Sequence, residues 1–173
     1  MADRPFHVLF LCTGNSARSI LAESLLTHLG RGRFVAHSAG SFPKGAVHPL
    51  ALNLLQQLDL PCEGMRSKSW DEFAGPGKPP LDCIITVCDN AAGEVCPVWP
   101  GHPVTAHWGI ADPAAATGSD ADKRLAFRSA LQQLQERIDA LISLDIAGLD
   151  RVTLQRRLRE IARVLHRSTA PGP

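Results

Sequence analysis

Five residues, Thr13-Gly14-Asn15-Ser16-Ala17, separate Cys12 from Arg18, and Ser19 directly follows the arginine. A thiol and a guanidinium at that spacing can serve one reaction. The thiolate form of a cysteine is a nucleophile. The arginine fork matches two oxygens of a phosphate or arsenate and holds the charge that builds up during displacement, which lysine would do poorly. Gly14 and Asn15 are residue types that tolerate left-handed backbone angles. The loop can therefore curl and aim its N–H groups at one centre, as anion-binding nests do. The chemistry implied is attack on a tetrahedral oxyanion, with Thr13, Gly14, Asn15, Ser16, Ala17, Arg18 and Ser19 as the cradle. The same donors predict a Cys12 pKa well below the ~8.5 of a free thiol, and the Ser19 hydroxyl is placed to hydrogen-bond the sulfur.

Such a loop needs a strand before it and a helix after it. His7 to Leu11 is a short apolar run that suits a strand buried on both faces. Ser19 to Leu29 reads as a helix, with Leu21, Leu25 and Leu29 on one stripe and Gly30 as its stop. The alternation continues. Phe34–His37 is a second strand, Pro49–Leu58 a helix, Asp82–Cys88 a third strand and Val104–His107 a fourth. Asp120–Leu144 is a long amphipathic helix with Phe127, Leu131, Leu134, Ile138 and Leu141 on its inner stripe. A last helix covers about 151–167, and a frayed tail follows from Ser168. The pattern predicts an α/β fold, an open four-stranded parallel sheet with helices on both faces. In such sheets ligands bind at the carboxyl ends of the strands, where Cys12 falls.

The 173 residues, 45% of them hydrophobic, fit one domain spanning 1–173. Eighteen basic and seventeen acidic residues leave a formal charge of +1, so no overall field favours nucleic acid. The amino terminus turns polar at Thr13, too soon for a signal peptide or membrane span. The expected location is the cytoplasm, with no membrane partner. There the five cysteines, Cys12, Cys62, Cys83, Cys88 and Cys96, are expected to stay reduced rather than form a permanent disulfide framework. No pair has the short spacing of a zinc hook, and no metal is assigned. Gly75-Pro76-Gly77-Lys78 lacks the pattern of a nucleotide-binding loop and reads as a surface turn.

Cys12-Thr13-Gly14-Asn15-Ser16-Ala17-Arg18-Ser19, Ala22-Glu23, Ser38-Ala39-Gly40, Val87-Cys88, His107-Trp108-Gly109 and Asp112-Pro113 occur in an order that resembles the low-molecular-weight tyrosine phosphatase superfamily. Within it the chain looks most like the arsenate reductases that share that fold. The likeness covers about residues 6–145 and excludes the last helix. It implies Cys12 as nucleophile, Arg18 as oxyanion clamp, Asn15 and Ser19 as loop supports and Asp112 as general acid. Read alone, Asp112-Pro113 is a turn. Some related reductases hold potassium near this loop, and Asn15, Glu23 and Ser38 match part of that site.

Phosphate ester hydrolysis needs one cysteine, whereas reducing arsenate takes two electrons, which a pair of thiols can supply. Cys88, at the end of the third strand, is expected to attack Cys12 and release arsenite, and Cys96 then to take over the disulfide. The eight-residue step from Cys88 to Cys96 is one longer than in the reductases the chain resembles. An external thiol, thioredoxin or glutaredoxin with glutathione, would return the electrons, with no tightly bound cofactor and the chain acting as a monomer. Cys83, an odd number of residues before Cys88, would point to the other face of a regular strand. The alternatives are a low-molecular-weight protein tyrosine phosphatase hydrolysing phosphate monoesters and an idle oxyanion-binding module. Against the first stand the lack of any tyrosine, the Ala114-Ala115-Ala116 run after Asp112-Pro113, and Ala17 where many such phosphatases carry cysteine.

Overall fold

The computed structural model describes residues 4–88, 99 and 101–168. Cys96, its flanking segment and the tail beyond Ser168 lie outside them. The described elements are β1 (Phe6–Cys12), α1 (Arg18–Leu29), β2 (Phe34–Gly40), α2 (Pro49–Gln57), β3 (Cys83–Thr86), β4 (Val104–His107), α3 (Asp120–Ile142) and α4 (Arg151–Ser168). Short 3-10 turns cover Trp70–Phe73, Pro113–Ala115 and Ile146–Gly148. The four strands form one parallel sheet in the order β2-β1-β3-β4. This is the sheet that the alternation of elements predicts.

β1 is central, and Val8, Leu9, Phe10 and Leu11 are fully buried. Its alternating side chains feed two cores. Val8 and Phe10 pack with α1, α2, α3 and α4 residues, among them Leu21, Leu55, Leu134 and Leu158. Leu9 and Leu11 pack under the Trp70–Phe73 turn with Leu81, Ile84 and Trp99. Each fully buried aliphatic side chain contributes roughly 1.5–3 kcal/mol against the entropy of ordering the chain. Opening at Ser119, α3 carries a reciprocal capping box with Asp122. α4 docks on the end of β4, where Trp108 is fully buried and its Nε1 donates to Leu158 O at 3.0 Å. No helix of the described residues is long and apolar enough to cross a membrane.

β3 stops at Thr86, two residues short of Cys88. The strand alternation used to set Cys83 and Cys88 on opposite faces therefore does not reach Cys88, and both side chains belong to the core that contains Cys12. Cys83 is nonetheless remote from Cys12. It sits in register with Val8, four residues down β1, roughly 13 Å along the strand.

Candidate active site

The loop between β1 and α1 is held from outside by its carbonyl groups. Thr13 O accepts from Phe42 N at 3.0 Å, Gly14 O from Lys44 N and the Ser67 hydroxyl at 3.0 Å each, and Ser16 O from His48 N at 2.8 Å. Turning these carbonyls outward leaves the loop's interior to N–H groups. α1 begins at Arg18 with no side-chain cap and no acidic residue in its first turn, so no side chain competes for its first N–H groups. Asn15 is fully buried at φ +46°, the left-handed turn its residue type foretells. Gly40 allows the loop to lie on β2, since a Cβ there would fall 2.4 Å from Thr13 O.

Asn15 ties the loop to two elements. Its Nδ2 donates to Ser19 Oγ at 2.8 Å, and its Oδ1 accepts Lys68 N at 2.9 Å. Among the described residues the Ser19 hydroxyl thus supports Asn15 and makes no bond to the Cys12 sulfur, because the asparagine amide stands between helix and loop. Below it the Ser38 hydroxyl donates to Glu23 Oε2 at 2.8 Å. Burial pushes the Glu23 carboxyl up, while Lys68, Ser38 and Arg66 pull it down. Asn15, Glu23 and Ser38 do not fit a potassium ion here. The amide is committed to Ser19 and Lys68, and the buried Lys68 ammonium already supplies positive charge to Glu23.

Cys12 ends β1 as a free thiol, 5% exposed. Cys88 lies beside it: Thr13 N donates to Cys88 Sγ at 3.3 Å, and Thr13 Oγ1 lies 3.5 Å from the same sulfur. This contact corrects the expectation of a depressed Cys12 pKa. The hydrogen bond with Cys88 and burial push the Cys12 thiol up, outweighing Arg18 and the Gly14 N–H, which favour the thiolate. Partly buried Cys62 packs against the main core.

Arg18 reaches over the loop. Its Nη1 donates to Ile110 O at 2.9 Å, and its Nη2 lies 3.7 Å from Asp112 Oδ2. Arg18 Nε is buried without a hydrogen-bond partner among the described residues. Asp112 is the N-cap of the Pro113–Ala115 turn, its Oδ1 accepting Ala114 N at 3.0 Å, which is the turn that Asp112-Pro113 reads as when taken alone. Arg18, Cys88 and Asp112 line a cleft of about 670 Å³ whose other wall includes His107, Arg137 of α3 and Arg163 of α4.

Among the described residues the structure brings together Cys12, the loop, Arg18, Cys88 and Asp112. Cys96 lies outside them. The sequence reading named Gly40 without a role, and it missed Ser67, Lys68 and His48, which brace the loop, and Arg137 and Arg163, which line the cleft. They carry no spacing signal, because only the fold brings them to the loop and the cleft.

Residues 7–157 match the family described as Low molecular weight phosphotyrosine protein phosphatase. An arsenate reductase of Halalkalibacterium halodurans is 33% identical over 131 residues, covering 76% of this chain and 91% of that protein. A glutaredoxin arsenate reductase of Synechocystis is 27% identical over 136 residues, covering 79% of this chain and 95% of its own. The solved structure of a thioredoxin-dependent arsenate reductase from Corynebacterium glutamicum is similar with a TM-score of 0.60 at 25% identity, covering 82% of this chain and 62% of its own.

Proposed function

Since the chain belongs to the low molecular weight phosphotyrosine protein phosphatase family, we infer from its arsenate reductase relatives and from its paired thiols that it reduces arsenate to arsenite. The observation that carries this reading is the seat of the Cys88 sulfur on Thr13, the residue directly after Cys12. Ester hydrolysis has no use for a second thiol on the nucleophile, whereas reduction requires one.

Arsenate enters the loop against the N–H groups of Gly14 to Ser19, and Arg18 offers it the buried Nε that lacks a partner among the described residues. The incoming oxyanion draws the Cys12 proton away from the Cys88 contact, and the thiolate attacks arsenic. Asp112 protonates the departing oxygen, which leaves as water. Cys88 then attacks Cys12 Sγ. The electron pair of the sulfur–arsenic bond passes to arsenic, arsenite departs, and Cys12 and Cys88 form a disulfide. Cys96 is the third thiol in this scheme, exchanging with Cys88 and handing the disulfide to an external reductant of the thioredoxin or glutaredoxin kind.

The test is arsenite formation by the purified chain with arsenate and thiol, run beside Cys88→Ser, Cys96→Ser and a para-nitrophenyl phosphate assay. Cys88→Ser abolishes arsenite formation and spares slow ester cleavage. Fast ester cleavage indifferent to Cys88, with no arsenite under any thiol, identifies a phosphatase instead.

A further inference from the structure

The cleft beside Cys88 is far larger than one tetrahedral oxyanion requires. At about 670 Å³ it falls within the roughly 300–1,000 Å³ typical of small-molecule sites. Its charge is unbalanced. Arg18 faces Asp112, but Arg137 forms no ion pair among the described residues. Only 1% of Arg137 is exposed, its Nη1 donates to Gln133 O in its own helix, and its Nε has no partner among the described residues. Glu136 is the acidic neighbour that acts on it, without closing to an ion pair. A guanidinium withdrawn from water with donors left open is costly, and a bound anion relieves that cost. Arg163, exposed on α4 beyond the end of the family match, adds a second cation to the same wall.

We propose that this cleft binds a small thiol carrying carboxylates, with Arg137 and Arg163 seating the carboxylates and the thiol sulfur directed at Cys88. The inference rests on the arsenate reductase reading and names the reductant class for it. Two anion-seating arginines, room for a tripeptide-sized molecule and a redox-competent sulfur in one lining define that class. In the reaction, the thiolate of the bound molecule attacks Cys88 Sγ of the Cys12–Cys88 disulfide. The S–S bond breaks, and its electron pair leaves on Cys12. A second small thiol attacks the mixed disulfide on Cys88, releasing the oxidised small disulfide and restoring Cys88. Two thiols thus supply the two electrons, and arsenate becomes arsenite with one oxygen lost as water. In this route the bound thiol takes the step at Cys88 that the scheme above gives to Cys96.

The experiment compares glutathione, which carries two carboxylates, with uncharged dithiothreitol as reductant for arsenite formation by the full chain, in wild type, Arg163→Glu and Arg137→Gln. Calorimetry with S-methylglutathione measures binding without turnover. The expected result is that Arg163→Glu lowers kcat/KM for glutathione roughly tenfold more than for dithiothreitol and weakens S-methylglutathione to a similar degree, the effect of about one charge-assisted contact. Because Arg163 is exposed, this variant holds the test if Arg137→Gln does not fold. Equal losses with both thiols, no binding of S-methylglutathione, or a change in the KM for arsenate alone overturns the proposal. The last outcome assigns the cleft to the oxyanion. Binding of S-methylglutathione that Arg163→Glu weakens, in a chain that makes no arsenite with any thiol, upholds the carboxylate seat and defeats the reductase reading alone.

Discussion

Thr13 donates its backbone N–H to the sulfur of Cys88 at 3.3 Å, so the second thiol is seated on the loop of the first. The hydrogen bond between Cys12 and Cys88 is the largest influence raising the Cys12 pKa. Cys88→Ala therefore lowers that pKa and makes Cys12 more reactive at a given pH. Alkylation of Cys12 by iodoacetamide, followed by mass spectrometry across pH, should show its midpoint move to lower pH. An unmoved or higher midpoint contradicts the role of the contact.

Arg18 spans from Ile110 O to the neighbourhood of Asp112. Arg18→Lys keeps a charge but loses the fork and its Nε. The expected loss in kcat/KM for arsenate is roughly 10²- to 10³-fold, the range for removing an oxyanion donor. Circular dichroism should stay that of the parent. A loss under tenfold would show that the guanidinium does not hold the oxyanion.

Gly40 and Asn15 set the loop's shape. Gly40→Ala drives a Cβ into Thr13 O at 2.4 Å, and Asn15→Ala strips buried bonds to Ser19 and Lys68. Each costs about 2 kcal/mol or more by overpacking or by leaving buried groups unpaired. Urea unfolding measures this directly. A stability change within about 0.5 kcal/mol at either position would mean that the loop does not depend on it.

His37 Nε2 lies 3.0 Å from His7 Nδ1, and burial, His7 and Lys68 push the His37 pKa down to about 4 from its ordinary 6.5. Between pH 6.5 and about 4 the unfolded chain binds more protons than the folded one, so stability falls as pH falls through that window. His37→Gln should flatten this dependence, read as urea midpoints at pH 7 and pH 4.5. If the variant keeps the parent's slope, another group causes the acid sensitivity.

The sheet, its order of elements and the anion loop were legible because they depend on local pattern. β1 shows its burial as an unbroken apolar run, and Cys12, Gly14, Asn15 and Arg18 sit within seven residues. The sequence also exposed Cys88, since a strand's carboxyl end must deliver it near Cys12. What it hid depends on three-dimensional neighbours. The pKa of Cys12 could not be read from the loop, because Cys88 and burial reverse the sign that the loop donors set. The parity argument for Cys83 failed because the regular strand β3 ends at Thr86, so its alternation does not carry through to Cys88. Nothing in the sequence sets Arg137 apart from the other cations of its helix, and only the packing of α3 shows it buried at a cleft.

The braces of the anion loop all come from a short stretch of chain. The groups that take the carbonyls of Thr13, Gly14 and Ser16 belong to Phe42, Lys44, His48 and Ser67, and Lys68 follows at Asn15. Cys88 and Asp112 come later in the sequence, and Arg137 and Arg163 later still. Because synthesis runs from the amino terminus and chains begin to fold as they emerge, the segment that cradles the oxyanion is complete on the ribosome before the thiol that would resolve it. The wall that would admit a reductant is the last part of the cleft to be made.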